Sequence, residues 1–227
     1  MGVQSLDDAI LADMGRGYTL SEAMQAFALV AKHFDNAGID LIVGYPGEKG
    51  EVSAWRDGLG RFSKMGMKHC SVYSLQNERG LKNVPDDDWT LDRLRHIAIC
   101  LREIGLERYE ISNYAVPGCE CRHNLAVWRG EDYLGIGEGA YGRIGLMRTV
   151  GRKSGVETST VSPVEDLKER TLFRLRTREG LDATHFPEWG LTLGKYVQEG
   201  LLTQAGTVYR LTERGTEVCD SILTDLV

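Results

Sequence analysis

Short apolar segments separated by amphipathic stretches of helical length are what most constrain the fold of this chain. Residues 1–4, 39–43, 69–75 and 108–111 read as strands. In 21–34, Ala23, Met24, Phe27, Val30, Ala31 and Phe34 recur at steps of three and four, with Thr19 or Ser21 placed to cap the start. Val52, Trp55, Leu59 and Phe62 mark a second helical face, and Leu91, Leu94, Ile97, Ala98, Leu101 and Ile104 a third. The third begins behind Asp86, Asp87 and Asp88, whose charge suits a helix N-terminus. Strands and helices alternating at intervals of roughly 35 residues predict βαβ units, hence an α/β fold with a parallel sheet.

In such sheets sites lie at the carboxyl ends of the strands. Polar or turn-forming residues gather there: Gln4 and Ser5, Gly44-Tyr45-Pro46-Gly47, Gln76-Asn77-Glu78, and Ser112-Asn113. Asp40 opens an otherwise apolar strand. A buried carboxylate needs a partner, so Asp40 reads either as a structural mate for a base such as Arg16 or as a ligand contact. The stretch 109–137 gathers Cys119, Cys121, His123, Trp128, two arginines and several acids, and reads either as a binding loop or as a well-packed crossover.

Beyond Ile144 the pattern changes. Residues 145–160 read as a linker or hairpin, 163–176 as a helix, and 195–199 as the close of a short helix. A hairpin follows over 201–211, then a final helix over 212–226. Helix, helix, hairpin, helix is the order of a winged-helix-like α+β module. Its segment Lys195-Tyr196-Val197-Gln198-Glu199 is not basic enough to read DNA, and the net charge of −6 likewise argues against nucleic acid as a partner. No run of 18 apolar residues predicts a membrane span. The N-terminus has no signal-peptide pattern, and Leu6 spoils a myristoylation motif. Five scattered cysteines read as reduced thiols in the cytoplasm, and Cys119-Glu-Cys121 is a weak metal signal.

Several motifs then fall in one order: Gly2-Val3-Gln4-Ser5, Gly15-Arg16, Asp40-Leu41-Ile42-Val43-Gly44-Tyr45-Pro46-Gly47, and Tyr73-Ser74-Leu75 with Glu78. Tyr109-Glu110-Ile111-Ser112-Asn113-Tyr114-Ala115, His123-Asn124-Leu125 with Trp128, and Leu175-Arg176-Thr177-Arg178-Glu179-Gly180 complete the set. Together they resemble the radical S-adenosylmethionine family that includes oxygen-independent coproporphyrinogen III oxidase and, more closely, the HemW haem chaperones. The resemblance implies the C-terminal part of a partial (β/α) barrel with its crossover loop over 1–144, a linker or hairpin over 145–162, and a winged-helix-like domain over 163–227.

It also implies that Gln4, Arg16, Asp40 and Gly44 line an S-adenosylmethionine pocket. A glutamine amide and a carboxylate can hydrogen-bond ribose or amino groups, an arginine can clamp a carboxylate, and a glycine turn admits close approach. His123 is the implied haem-iron ligand, with Trp128 and Tyr133 to stack on the porphyrin. The function implied is binding of haem for delivery to respiratory enzymes. The alternatives are oxidative decarboxylation of coproporphyrinogen III, and a cluster-free haem-binding remnant that docks to a separate N-terminal half.

The departures carry weight too. The family's Cys-x-x-x-Cys-x-x-Cys, which holds a 4Fe-4S cluster, does not occur in this sequence. The expectation is therefore either a false start at Met1 or a product of a truncated or split gene, without radical chemistry on its own, and prone to associate through an edge at residues 1–5. Val127 stands where the chaperone loop commonly has tyrosine. The Gly-Ile-Gly-x-Gly-Ala pattern, which usually ends in histidine, ends here in Tyr141.

Overall fold

Strands β1 (Gly2–Gln4), β2 (Ala37–Val43) and β3 (Met67–Ser74) pair in parallel, as the alternating pattern predicts. Their crossovers are helical: α1 (Asp8–Asp13) and α2 (Leu20–His33) join β1 to β2, and α3 (Val52–Lys64) joins β2 to β3. Thr19 caps α2 through a reciprocal capping box with Glu22, and Asp86 caps α4 (Asp87–Glu103). Helix α1, too short to show a period, is absent from the sequence expectation.

The computed structural model describes residues 1–49, 51–77 and 80–227, so Glu78 lies outside the described residues. The chain divides into two units, Met1–Glu120 and Cys121–Val227. This is a division by packing; the composition shift near residue 144 falls inside the second unit.

The fourth expected strand, β4, spans Glu107–Glu110 and then reverses. Residues Asn113–Ala115 form β5, which runs antiparallel to both β3 and β4 and lies between them, giving the order β1-β2-β3-β5-β4. The sheet is thus parallel over three strands and mixed at one edge. The reversal is local chemistry: the Glu110 carboxylate accepts the Ser112 N–H at 3.0 Å and the Asn113 amide N–H, closing a tight corner.

One face of this sheet is the core. Along β2, Ala37, Ile39, Leu41 and Val43 are buried with Phe27, Leu59, Phe62, Ile97 and Leu101 of the helices. The alternate residues Gly38, Asp40 and Ile42 point to the other face.

The second unit begins with α5 (Arg122–Trp128), a helix inside what the sequence suggested was loop. Strands β6 (Tyr141–Ile144), β7 (Met147–Arg152) and β8 (Gly155–Thr160) form an antiparallel sheet, so the hairpin reading of this segment is the observed one. Two glycines permit its close packing. A Cβ on Gly135 would run into the Tyr141 carbonyl, and one on Gly151 into the Gly137 carbonyl. Helix α6 (Pro163–Arg174) carries Asp166, which accepts from Arg143, from Arg148 at 2.8 Å and from Arg170 at 2.7 Å.

A second apolar core gathers Leu175, Leu181, Phe186, Trp189, Leu193, Tyr196, Leu202 and Ile222. It joins β9 (Leu181–Asp182), α7 (Gly190–Gln198) and the hairpin of β10 (Leu202–Ala205) and β11 (Val208–Leu211), with two 3₁₀ turns before α7. The single final helix expected over 212–226 is instead two, α8 (Glu213–Glu217) and α9 (Cys219–Thr224). A Cβ on Gly215 would run into the Leu201 carbonyl, so only glycine fits there, and the helix breaks at Val218, which leaves helical geometry at φ −120°, ψ 20°. Among the described residues no helix is long and apolar enough to cross a membrane.

Candidate functional site

The other face of the first unit's sheet carries a polar row across four strands. In one register row Asp40 of β2 stands beside Ser71 of β3, Ser71 beside Asn113 of β5, and Asn113 beside Glu110 of β4. Directly paired residues share a face, so these four side chains project together. Ser71, Asn113 and Glu110 are buried, whereas the Asp40 side chain keeps 41% of its exposure. One register step towards the strand starts, the His69 Nε2 and Tyr109 hydroxyl meet at 2.9 Å. Burial pushes the His69 pKa below its ordinary value, so the ring is held neutral.

Asp40 is less enclosed than its apolar sequence neighbours suggest, because it lies on the face opposite the helices. The cation beside it is the amino group of Met1, 3.5 Å away, and not Arg16. Arg16 is exposed in the turn after α1, where its N–H donates to the Leu11 carbonyl at 2.9 Å. The Tyr18 hydroxyl, two residues on, donates to the Gly2 carbonyl at 3.1 Å and ties this segment to β1. Gln4 has a positive φ of 72° and folds its amide over Gly2, the partner of Asp40. Gln4 and Asp40 therefore occupy one face. Gly44, at φ 89°, donates its N–H to Glu48 at 2.7 Å. Burial raises the pKa of that carboxylate, against the backbone hydrogen bonds it accepts at Gly44 and Tyr45.

In the second unit His123 is exposed in the first turn of α5, with its ring edge-on to Tyr133 at 6.5 Å between centroids. Trp128, five residues on, is turned by about 140° around the helix, so α5 presents the two on different sides. Trp128 packs edge-on to Phe173 at 5.9 Å, and the Arg176 guanidinium lies 4.9 Å from its ring centre. One face of the indole is thus occupied. Cys119 and Cys121 are half-buried, while Cys70, Cys100 and Cys219 are buried. Burial raises the Cys70 thiol's pKa and keeps it protonated. No three His, Cys, Asp or Glu residues converge as a metal site among the described residues.

Sequence reasoning did not single out Ser71, His69 and Tyr109 as a group. The alternation of His69, Ser71 and Tyr73 against Cys70 and Val72 was the available signal. Nothing local pairs His69 with Tyr109, because that contact spans 40 positions.

No family model matches the chain. The mouse mitochondrial protein "radical S-adenosyl methionine domain-containing protein 1" is 34% identical over 190 residues, covering 79% of this chain and 42% of the relative. The heme chaperone HemW of Mycobacterium tuberculosis is 30% identical over 253 residues, covering all of this chain and 64% of the relative. The chain thus spans less than two thirds of either. Among solved structures, the Escherichia coli coproporphyrinogen III oxidase HemN, described as a radical SAM enzyme, superposes with a TM-score of 0.78 at 18% identity. That match covers 100% of this chain and 63% of HemN, and it speaks for the fold alone.

Proposed function

This chain belongs to the radical S-adenosylmethionine family as a homologue of the HemW heme chaperones, and on that premise we propose that it binds haem through His123 for transfer to respiratory proteins in the cytoplasm. The observation that carries the reading is the placing of His123. Its imidazole is exposed and edge-on to Tyr133, within a chain aligned along its full length with a HemW relative. A neutral imidazole is the usual proximal donor to haem iron. Tyr133 supports a stacking role better than Trp128, whose ring is engaged by Arg176 and Phe173.

Gln4, Arg16, Asp40 and Gly44 form the proposed S-adenosylmethionine pocket. The shared face of Gln4 and Asp40 fits hydroxyl and amino donors. The Gly44 amide can serve only where Glu48 gives it up. When bound, that cofactor supplies methionine and 5′-deoxyadenosyl groups. Because the family's Cys-x-x-x-Cys-x-x-Cys does not occur in this sequence, these residues are assigned binding roles and no radical step. We retain as part of the proposal the family modules 1–144, 145–162 and 163–227, the last of them winged-helix-like, and a partner bearing the cluster.

Titration with haem tests the reading. The wild-type chain should develop a Soret band that saturates, and His123→Ala should weaken binding at least about tenfold, the cost of one lost ligand bond. An unchanged titration removes His123 from the site. The fold shared with HemN favours a second reading, oxidation of coproporphyrinogen III. Protoporphyrinogen formed from coproporphyrinogen III by the full-length, cluster-bearing protein would support it.

A further inference from the structure

Strand β8 (Gly155–Thr160) is an open sheet edge without the usual protection. It ends the order β6-β7-β8, and all six of its residues are exposed. Among the described residues the other strands that end a sheet span two to four residues, whereas β8 runs for six without a register shift against β7. Short edges, bulges, proline and lysine discourage a sheet from pairing with another chain, and Gly155-Val156-Glu157-Thr158-Ser159-Thr160 has none of them. Its one charge, Glu157, is held by Arg152 at 2.8 Å. The Val161 N–H donates to the Leu146 carbonyl at 3.0 Å, which fixes the alternation along the strand. Gly155, Glu157 and Ser159 bond to β7, while Val156, Thr158 and Thr160 turn their N–H and C=O groups to the open edge. Among the described residues no backbone group pairs with that edge.

We propose that β8 pairs antiparallel with β8 of a second copy of this chain, about a two-fold axis at Thr158. The strand's own pattern selects this partner and this register. Reversed on itself about Thr158, it sets Thr158 opposite Thr158 and Val156 opposite Thr160, so every outward N–H and C=O of the three residues is used. Glu157 then meets Ser159, and no like charges stand directly opposite; centred on Glu157, the same strands would oppose two carboxylates. The pairing also joins apolar side chains across the axis. Ile144, Met147 and Thr160 lie in one register row, and the second copy's Val156 extends it. Ile144 and Val156 are 43% and 67% exposed in the single chain. A single strand pair is small for an interface, so the dimer should dissociate on dilution.

Sedimentation velocity of the full chain over a dilution series tests it. A species of twice the 25.3 kDa chain mass should form as concentration rises. Thr158→Lys sets two ammonium groups face to face at the axis and should raise the dissociation constant at least about fivefold. Position 158 is exposed, so the variant should keep the circular dichroism of the wild-type chain. Cross-linking reads the register independently. Thr158→Cys places two thiols directly opposite, with Cα atoms about 5.5 Å apart and within disulfide reach. Val156→Cys places them four residues out of register, roughly 14 Å apart and beyond it. Mild oxidation should therefore join Thr158→Cys chains and leave Val156→Cys at the wild-type level, which accounts for the native cysteines. A wild-type chain that stays monomeric at every concentration overturns the proposal. So does a dimer that Thr158→Lys leaves unweakened, because the copies then meet elsewhere. Equal cross-linking at positions 156 and 158 overturns it as well.

Discussion

The two units answer their buried charges to different degrees. In the second, Arg143 is 2% exposed and is matched by carboxylates: Asp166 accepts from it directly, and Glu169 stands 3.6 Å away. Arg148 and Arg170 close the same network on Asp166. In the first unit Ser71, Asn113 and Glu110 lie buried in one row with Asn113 Oδ1 unmatched, and the buried Arg93 leaves its Nε and Nη1 without hydrogen-bond partners. The Arg143 network sets acids against bases and holds structure, with Arg143 Nε alone of that guanidinium left over; the first unit's buried polar groups are answered less completely. The difference teaches that a buried polar group holds structure to the extent that a partner answers it.

The comparison breaks most readily at Asp166. Asp166→Ala leaves the Arg143 guanidinium buried with only Glu169 near it. Removing one partner of a buried pair should cost about 3 kcal/mol. Urea melts followed at the second unit's tryptophans should show this loss, with haem and S-adenosylmethionine binding intact at low denaturant. A loss below about 1 kcal/mol would mean the network is ornamental, and the contrast would lapse.

A smaller effect is expected at Tyr109→Phe, which strips the hydroxyl from His69. About 1 kcal/mol should be lost from the first unit, the net worth of one hydrogen bond. Hydrogen exchange at β3 and β5 should register it while β6 to β8 stay unchanged.

The least effect, and the one that sharpens the contrast furthest, is the response to acid. Burial depresses the pKa of His69, so the unfolded chain takes up its proton first, and the first unit should weaken as pH falls below the ordinary value of 6.5. Asp166 pays for desolvation, yet hydrogen bonds from Arg148 and Arg170 and the charge of Arg143 hold its pKa below the ordinary 3.8. Its contribution is present above that value and lost only as pH falls through the depressed one. Exchange protection should therefore fade in the first unit at a higher pH than in the second. Simultaneous loss would show that these two residues do not govern the acid response.

Much of this was legible in the sequence. The helical faces were plain, with Thr19 or Ser21 marking one start and the charges of Asp86 to Asp88 another, because periodicity and end effects are local; that Thr19 and Asp86 are the caps came from the structure. The strands β1 to β3 were plain for the same reason. The antiparallel β5 was not, since three residues carry no period and its corner depends on how one carboxylate folds back. Helix α5 was hidden in the same way by its seven residues. At the sites, Gln4 and Asp40 do share a face, while Arg16 does not pair with Asp40 and Trp128 is spoken for by Arg176. Pairings such as His69 with Tyr109 are set by strand register, which no local pattern encodes.

The crowded glycines of the second unit limit how this chain can drift. At Gly135 and Gly151 the obstacle to a side chain is the backbone carbonyl of another segment, which cannot be trimmed by a second substitution. Lineages are therefore expected to keep both positions and to vary instead at Leu134, Ile136 and Tyr141, whose side chains stand 73%, 90% and 66% exposed. The knot stays constant while its outward-facing residues are free to take on new contacts.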